Sequence, residues 1–182
     1  MQNRRDQIYN ELLVIKCQQG DQAAFDELVG KWQERFWGYA VKLTGSEAAS
    51  WDIVQETWCG IIKGLRRLED VRVFPCWAFR ILNNKCKDYL RKQKLQLRVT
   101  NDLENQARNK SSAKPEQKSD LLQTAIEKLP PERRALITLR YREDFDTGQV
   151  AKILNIPEGT VKSRLHRTIN QLRQLMERSE NG

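Results

Sequence analysis

Apolar residues recur along the chain at spacings of three and four, in blocks separated by short polar or glycine-containing breaks. That period gathers side chains on one face of an α-helix, whereas a half-buried strand needs strict alternation, which no segment shows. The first block, over 7–19, puts Ile8, Leu12 and Ile15 on one side before Gly20 breaks it, and Asp21 is placed to cap the next helix. The second carries Phe25, Leu28, Val29, Trp32, Phe36, Tyr39 and Leu43 as a core stripe as far as Thr44 and Gly45. From Ser46 a third helix turns Val54, Trp58, Ile61, Ile62 and Leu65 inward and leaves Asp52, Gln55 and Glu56 clustered on the other side. Gly60 and Gly64 weaken it by roughly 1 kcal/mol each relative to alanine. Residues 68–72 read as a loop, after which Phe74, Trp77, Ala78, Ile81 and Leu82 start a fourth helix that runs to Lys94, with Pro75 in its first turn.

Beyond residue 96 the apolar pattern fades, and Asn109, Lys110, Ser111, Ser112, Lys114 and Pro115 have the composition of a flexible tether. Periodicity returns with Leu122, Ile126 and Leu129, stops at Pro130 and Pro131, and resumes through Leu136 and Leu139. The pattern predicts an all-α chain of two small helical domains, 1–96 and 121–182, joined by a flexible linker over 97–120.

The C-terminal part contains a specific local geometry. Asp146 can cap a short helix with Gln149 three residues on, and Val150, Ile153 and Leu154 form its apolar face. Asn155 then suits a left-handed turn, and Pro157 suits the first position of a final helix. In that helix Val161, Leu165, Ile169, Leu172 and Met176 face inward. Glu158, Thr160, Lys162, Ser163, Arg164 and Arg167 gather around its N-terminal half, as a helix-turn-helix presents a recognition helix to the major groove. A basic stripe alone is what any amphipathic surface helix shows; the cap, the asparagine turn and the proline start add a defined geometry. His166 stands among these positions without a second ligand-type residue, so a phosphate contact or a plain surface role fits it better than catalysis.

Composition narrows the function classes. Hydrophobic residues are 39% and charged residues 31% of 182, which fits a folded helical protein with a heavily solvated surface. The net charge of +8 favours a polyanionic partner, because cations that neutralise phosphates release condensed counterions. No stretch is long enough to span a bilayer and the start carries no apolar leader, so the expected location is cytoplasmic. Cys17, Cys59, Cys76 and Cys86 form no CxxC pair and read as buried reduced thiols, and with one histidine no metal site is expected. No nucleophile–base pair, carboxylate cluster or phosphate-cradling glycine loop points to an enzyme or to a cofactor.

Several motifs carry a resemblance. LPPERR at 129–134, LRY at 139–141, VAKIL at 150–154 and IPEGTVKSRLHR at 156–167 resemble domain four of sigma factors of the extracytoplasmic-function (ECF) group. GDQAAF at 20–25 with Leu28, DIVQET at 52–57, FPCWAFR at 74–80 with Asn84, and Tyr89-Leu90 look like sigma domain two. This resemblance implies that Asp52, Gln55 and Glu56 meet the clamp helices of the largest subunit of core RNA polymerase. It implies that Trp77, Arg80, Asn84, Lys85, Lys87 and Arg91 serve capture of the minus-ten element and strand opening, the loop 68–73 and Asn84 taking a non-template base. Trp77 also fits the core stripe of the fourth helix, and both readings stand at this stage. Glu158, Thr160, Lys162, Ser163, Arg164 and Arg167 would bind the minus-thirty-five element, and an anti-sigma factor is an implied partner. The chain departs from the family pattern at Gly148, Asn155, Trp58-Cys59-Gly60 and a short loop before Phe74. A stand-alone helix-turn-helix regulator is the competing reading; DIVQET speaks against it.

Overall fold

A computed structural model describes residues 2–101 and 118–180. The helices are α1 (Gln2–Gln18), α2 (Gln22–Thr44), α3 (Glu47–Leu65), α4 (Phe74–Asn101), α5 (Lys118–Glu127), α6 (Pro131–Ile137), α7 (Thr147–Leu154) and α8 (Glu158–Glu180). A 3-10 turn at Val71–Val73 precedes α4, and a π turn at Thr138–Arg142 extends α6. There is no strand among the described residues. The helix α4 continues past Lys94 to Asn101, and residues 102–117 of the expected tether lie outside the described residues.

Caps set the helix ends where the sequence places them. The Asp21 carboxylate accepts from the Ala24 amide at 3.0 Å, and Gly45 closes α2 in the left-handed region at φ 71°. The Ser46 hydroxyl accepts from the Ala49 amide to start α3. At the far end of α3 the Gln18 side chain donates to the Leu65 and Leu68 carbonyls at 2.9 and 2.8 Å, satisfying acceptors that the helix itself leaves open.

In the first domain α2, α3 and α4 close around an aromatic cluster. Trp32, Phe36, Tyr39, Phe74 and Phe79 are all fully buried, and Phe79 meets Phe36 and Tyr39 edge-to-face at 5.3 and 5.5 Å between ring centroids. Such pairs contribute roughly 0.5–1.5 kcal/mol each beyond the burial of their area. The Tyr39 hydroxyl donates to Asn83 Oδ1 at 2.9 Å, which keeps a polar group inside this core without an open hydrogen bond at the phenol.

Three expectations about facing are corrected. The helix α1 docks through Leu13 and Val14, and Ile8, Leu12 and Ile15 are exposed because the contact face is turned about 180°, to the opposite side of the helix, from the stripe read in the sequence. Ile62 points outward at 56% exposure, because the inner face of α3 is centred on Val54, Ile61 and Leu65, about 80° of helix rotation from it. The four cysteines are free, but only Cys86 is buried; Cys59 is exposed, and Cys17 and Cys76 are half-buried.

The second domain packs α5 to α8 around Leu129, Leu136, Leu139, Val150, Ile153, Val161 and Leu165. It also docks on the first. Phe145 is inserted against Phe79 with centroids 5.2 Å apart, and Arg35 on α2 reaches Glu143 at 2.9 Å, where the carboxylate is buried at 3% exposure. The Arg35 guanidinium lies 4.4 Å over the Trp32 ring. Gly38 leaves room for Arg142, whose Nη2 would lie 3.2 Å from a Cβ built there.

Candidate nucleic-acid interface

The helix-turn-helix forms as its sequence dictates. The Asp146 carboxylate accepts from the Gln149 amide at 2.8 Å while the Gln149 side chain accepts from the Asp146 amide at 2.9 Å, a complete capping box. Asn155 ends α7 in the left-handed region at φ 55°, where its short amide side chain lowers the steric cost. Pro157 supplies the first carbonyl of α8, accepting from Thr160 and Val161. Val161 and Leu165 anchor α8 inward.

That anchoring fixes which side chains face out. Glu158, Lys162, Ser163, Arg164, His166 and Arg167 are exposed, and Thr160 is half-buried. Glu158 is tied down on both sides: its Oε1 accepts from the Thr147 hydroxyl at 2.9 Å and pairs with Lys162 at 2.9 Å. Those two bonds, with Lys162 first, hold its carboxyl below the usual range. Glu158 therefore bridges the N-termini of the two helices and partly neutralises Lys162, leaving Arg164 and Arg167 as the open guanidiniums on this surface. The two line a shallow recess of about 240 Å³ with Glu132, Arg133 and Leu136.

On the first domain, Asp52, Gln55 and Glu56 share the exposed face of α3. Glu56 also reaches across to α4, where Lys85 Nζ lies 2.9 Å from its Oε2. The bond to Lys85 lowers the Glu56 carboxyl and raises the Lys85 ammonium. A residue expected to meet polymerase is thus joined to one expected to meet DNA.

Along α4, Arg80, Asn84, Lys87 and Arg91 are exposed. Asn83, one residue from Asn84, is fully buried as the Tyr39 partner, which leaves Asn84 as the free amide of the pair. Trp77 is half-buried: its ring packs on α3, with Cζ2 only 2.7 Å from a Cβ built at Gly64, and 6.2 Å from the Phe74 ring. Gly64, which the sequence presents as a weak point of α3, is what admits this indole.

Lys87 Nζ donates to the Leu154 carbonyl at 3.3 Å, a cation at the C-terminus of α7 where the helix dipole favours it. Lys87, Arg91 and Lys94 of α4 and Arg164 of α8 line one groove of about 520 Å³ between the domains, floored by Leu43, Leu90, Leu154 and Ile156. The cations of the two expected DNA surfaces thereby face a common space. The sequence gives no sign of this juxtaposition, because it depends on Phe145 and Glu143, which lie in a short connection without periodicity. No cluster of metal-ligating side chains occurs among the described residues.

A helical bundle bearing an acidic face, coupled to a basic helix-turn-helix, defines a two-domain DNA-binding transcription protein. The family models described as "Sigma-70 region 2" and "Sigma-70, region 4" match residues 28–96 and 119–172. The ECF RNA polymerase sigma-E factor of Haemophilus influenzae is 31% identical over 178 residues, covering 89% of this chain and 92% of that protein. The ECF RNA polymerase sigma factor SigW of Bacillus subtilis is 29% identical over 174 residues, covering 88% and 93%. Among solved structures, the sigma factor RpoE of Bartonella quintana, in complex with the anti-sigma factor NepR, has the same fold with a TM-score of 0.69 at 21% identity, covering 84% of this chain and 96% of that one. CnrH in complex with the cytosolic domain of CnrY also scores 0.69, at 22% identity, covering 93% and 97%. The chain belongs to the ECF group of sigma-70 factors, and its function is promoter-specific transcription initiation.

Proposed function

We propose that the two domains divide the work of initiation, one fastening to core RNA polymerase and holding the opened minus-ten strand, the other reading the minus-thirty-five duplex. The observation that carries this reading is the presence in one chain of the Asp52, Gln55 and Glu56 face on α3 and the basic recognition helix α8. Acidic and amide groups on one exposed face suit the clamp helices of the largest polymerase subunit. Arg164 and Arg167 have the reach and geometry to bond guanine edges or phosphates, and Lys162, Ser163 and Thr160 complete the duplex surface. Arg80, Asn84, Lys85, Lys87 and Arg91 form the single-strand surface; unstacking a base costs a few kcal/mol, which a pocket must return, and Asn84 is the amide free to read a base edge. Trp77 supports that surface from behind by packing on α3. Its assignment is structural positioning of that surface.

The docked arrangement has to open for this. Elements centred about 25 base pairs apart are separated by roughly 85 Å of duplex at 3.4 Å per step. A globule of this length has a radius of gyration of roughly 16 Å and so a diameter of about 40 Å. Lys87 and Arg164 cannot serve both elements while they line one groove. The units ending with α4 at Asn101 and beginning with α5 at Lys118 therefore act separably, and the tether between them raises the effective concentration of the second once the first is bound.

The reading assigns the chain no catalytic chemistry and a place of action in the cytoplasm, where polymerase and promoter are; no described helix is long and apolar enough to cross a membrane. An anti-sigma factor is a further partner. Supporting this, the sigma factor RpoE of Bartonella quintana, which shares the fold, was solved in complex with the anti-sigma factor NepR. Co-purification with core polymerase followed by run-off transcription tests the proposal: promoter-specific transcripts should require both components. Tight duplex binding by the free protein with no effect on core would instead favour a stand-alone regulator.

A further inference from the structure

The exposed face of α3 carries a feature that the acidic motif does not account for. Trp51, beside Asp52, is 43% exposed, and its indole is seated on Trp37 of α2 with centroids 5.8 Å apart and planes 31° from parallel. A rotation of 100° per residue sets Trp51, Gln55 and Ile62 within about 40° of one another on the flank of α3 that borders α2. Ile62 is 56% exposed on that same flank. The surface is therefore an acidic pair, Asp52 and Glu56, with Trp51 and Gln55 on its α2 side and Ile62 about 16 Å further along the same flank.

A single exposed apolar residue is ordinary in any protein. This one differs in being the largest side chain, supported from beneath by a second tryptophan and flanked by carboxylates on a chain whose net charge is +8. A ring already packed against a second indole loses little conformational freedom when it is covered, which favours tryptophan as a dominant contact of an interface.

We infer that Trp51, seated on Trp37, is the apolar anchor of the polymerase contact, inserting into a slot between basic side chains on the clamp helices that receive Asp52 and Glu56. The inference rests on the assignment of that α3 face to core polymerase. Charge complementarity selects this occupant: Asp52, with a Glu56 carboxylate that Lys85 neutralises only in part, repels promoter DNA, whereas a basic helical surface is attracted by them and covers the indole.

The test is the affinity of full-length protein for core polymerase, measured for wild type, Trp51→Ala, Trp51→Phe and the Asp52→Ala/Glu56→Ala pair, with helix content and melting temperature recorded for each. Trp51→Ala should weaken binding by at least roughly 30-fold, the scale of an interface hot spot, and Trp51→Phe by less than about 5-fold. Should alanine lower the melting temperature, Trp51→Gln, which keeps helix propensity and removes the ring, takes its place with the same 30-fold expectation. Wild-type affinity for the Trp51 variants, with the carboxylate pair defective, overturns the anchor and leaves the face assignment standing. Wild-type affinity in every variant overturns both.

Discussion

Replacing Phe145 with alanine should open the protein. The ring is 4% exposed and its main aromatic partner, Phe79, belongs to the other domain, 5.2 Å away at 74°. Removing a buried phenylalanine costs about 3–5 kcal/mol through lost transfer energy and the void left behind. Because this ring spans the seam, the cost falls on docking rather than on either domain alone. The low end, about 3 kcal/mol, shifts the ratio of docked to open molecules by roughly 100-fold. The Arg35–Glu143 pair does not compensate, since Glu143 sits two residues from the altered side chain and depends on the same turn for its position. Small-angle scattering reads the outcome directly: the wild type should give a radius of gyration near the roughly 16 Å expected for one globule, and Phe145→Ala a distinctly larger one with unchanged helix content. A variant as small as wild type would refute the seam, and a loss of helix content would show that Phe145 serves the second domain's own core instead.

Other consequences are more local. Asn155→Ala should destabilise the second domain by about 1 kcal/mol in thermal or urea unfolding, because alanine in the left-handed region meets a steric cost that asparagine lessens, while Asn155→Gly should be close to neutral. A double-mutant cycle on Glu56 and Lys85 should give a coupling below about 1 kcal/mol that salt weakens, since both side chains are substantially exposed. Glu56 is depressed, so its share is present above the ordinary carboxylate range and is lost on acidification through its folded value; Lys85 is raised, so its share is lost only as pH climbs through the folded lysine value. A thiol reagent on native protein should modify Cys59 first and leave Cys86 intact until unfolding, because burial pushes the Cys86 thiol up to about 12; early labelling of Cys86, read by peptide mapping, would contradict its placement.

Local geometry was the most legible part of the sequence. The capping box at Asp146, the left-handed turn at Asn155 and the cap at Asp21 each depend on residues within four positions, and each forms as read. Helical period located the elements well but not always their rotation. In α1 the apolar residues are spread around the helix, so period could not choose between the Ile8–Leu12–Ile15 side and the Leu13–Val14 side; packing against α2 chose. Helix lengths were harder where polarity hides continuity, as in α4 beyond Lys94. What remained illegible is long-range. Glu143 and Phe145 look like polar-loop residues until the π turn and the positive φ of Asp144 aim them at Arg35 and Phe79, and Gly64 looks like a helix defect until Trp77 is seen lying on it.

Strand opening at a promoter, mapped by permanganate reactivity of unpaired thymines, tests the division of labour most directly. Reactive thymines should appear around the minus-ten element only when this protein and core polymerase are both present, and should fade when Asn84 is replaced by alanine. Opening by the protein alone, or closed duplex with both components on every promoter bound, would contradict the account.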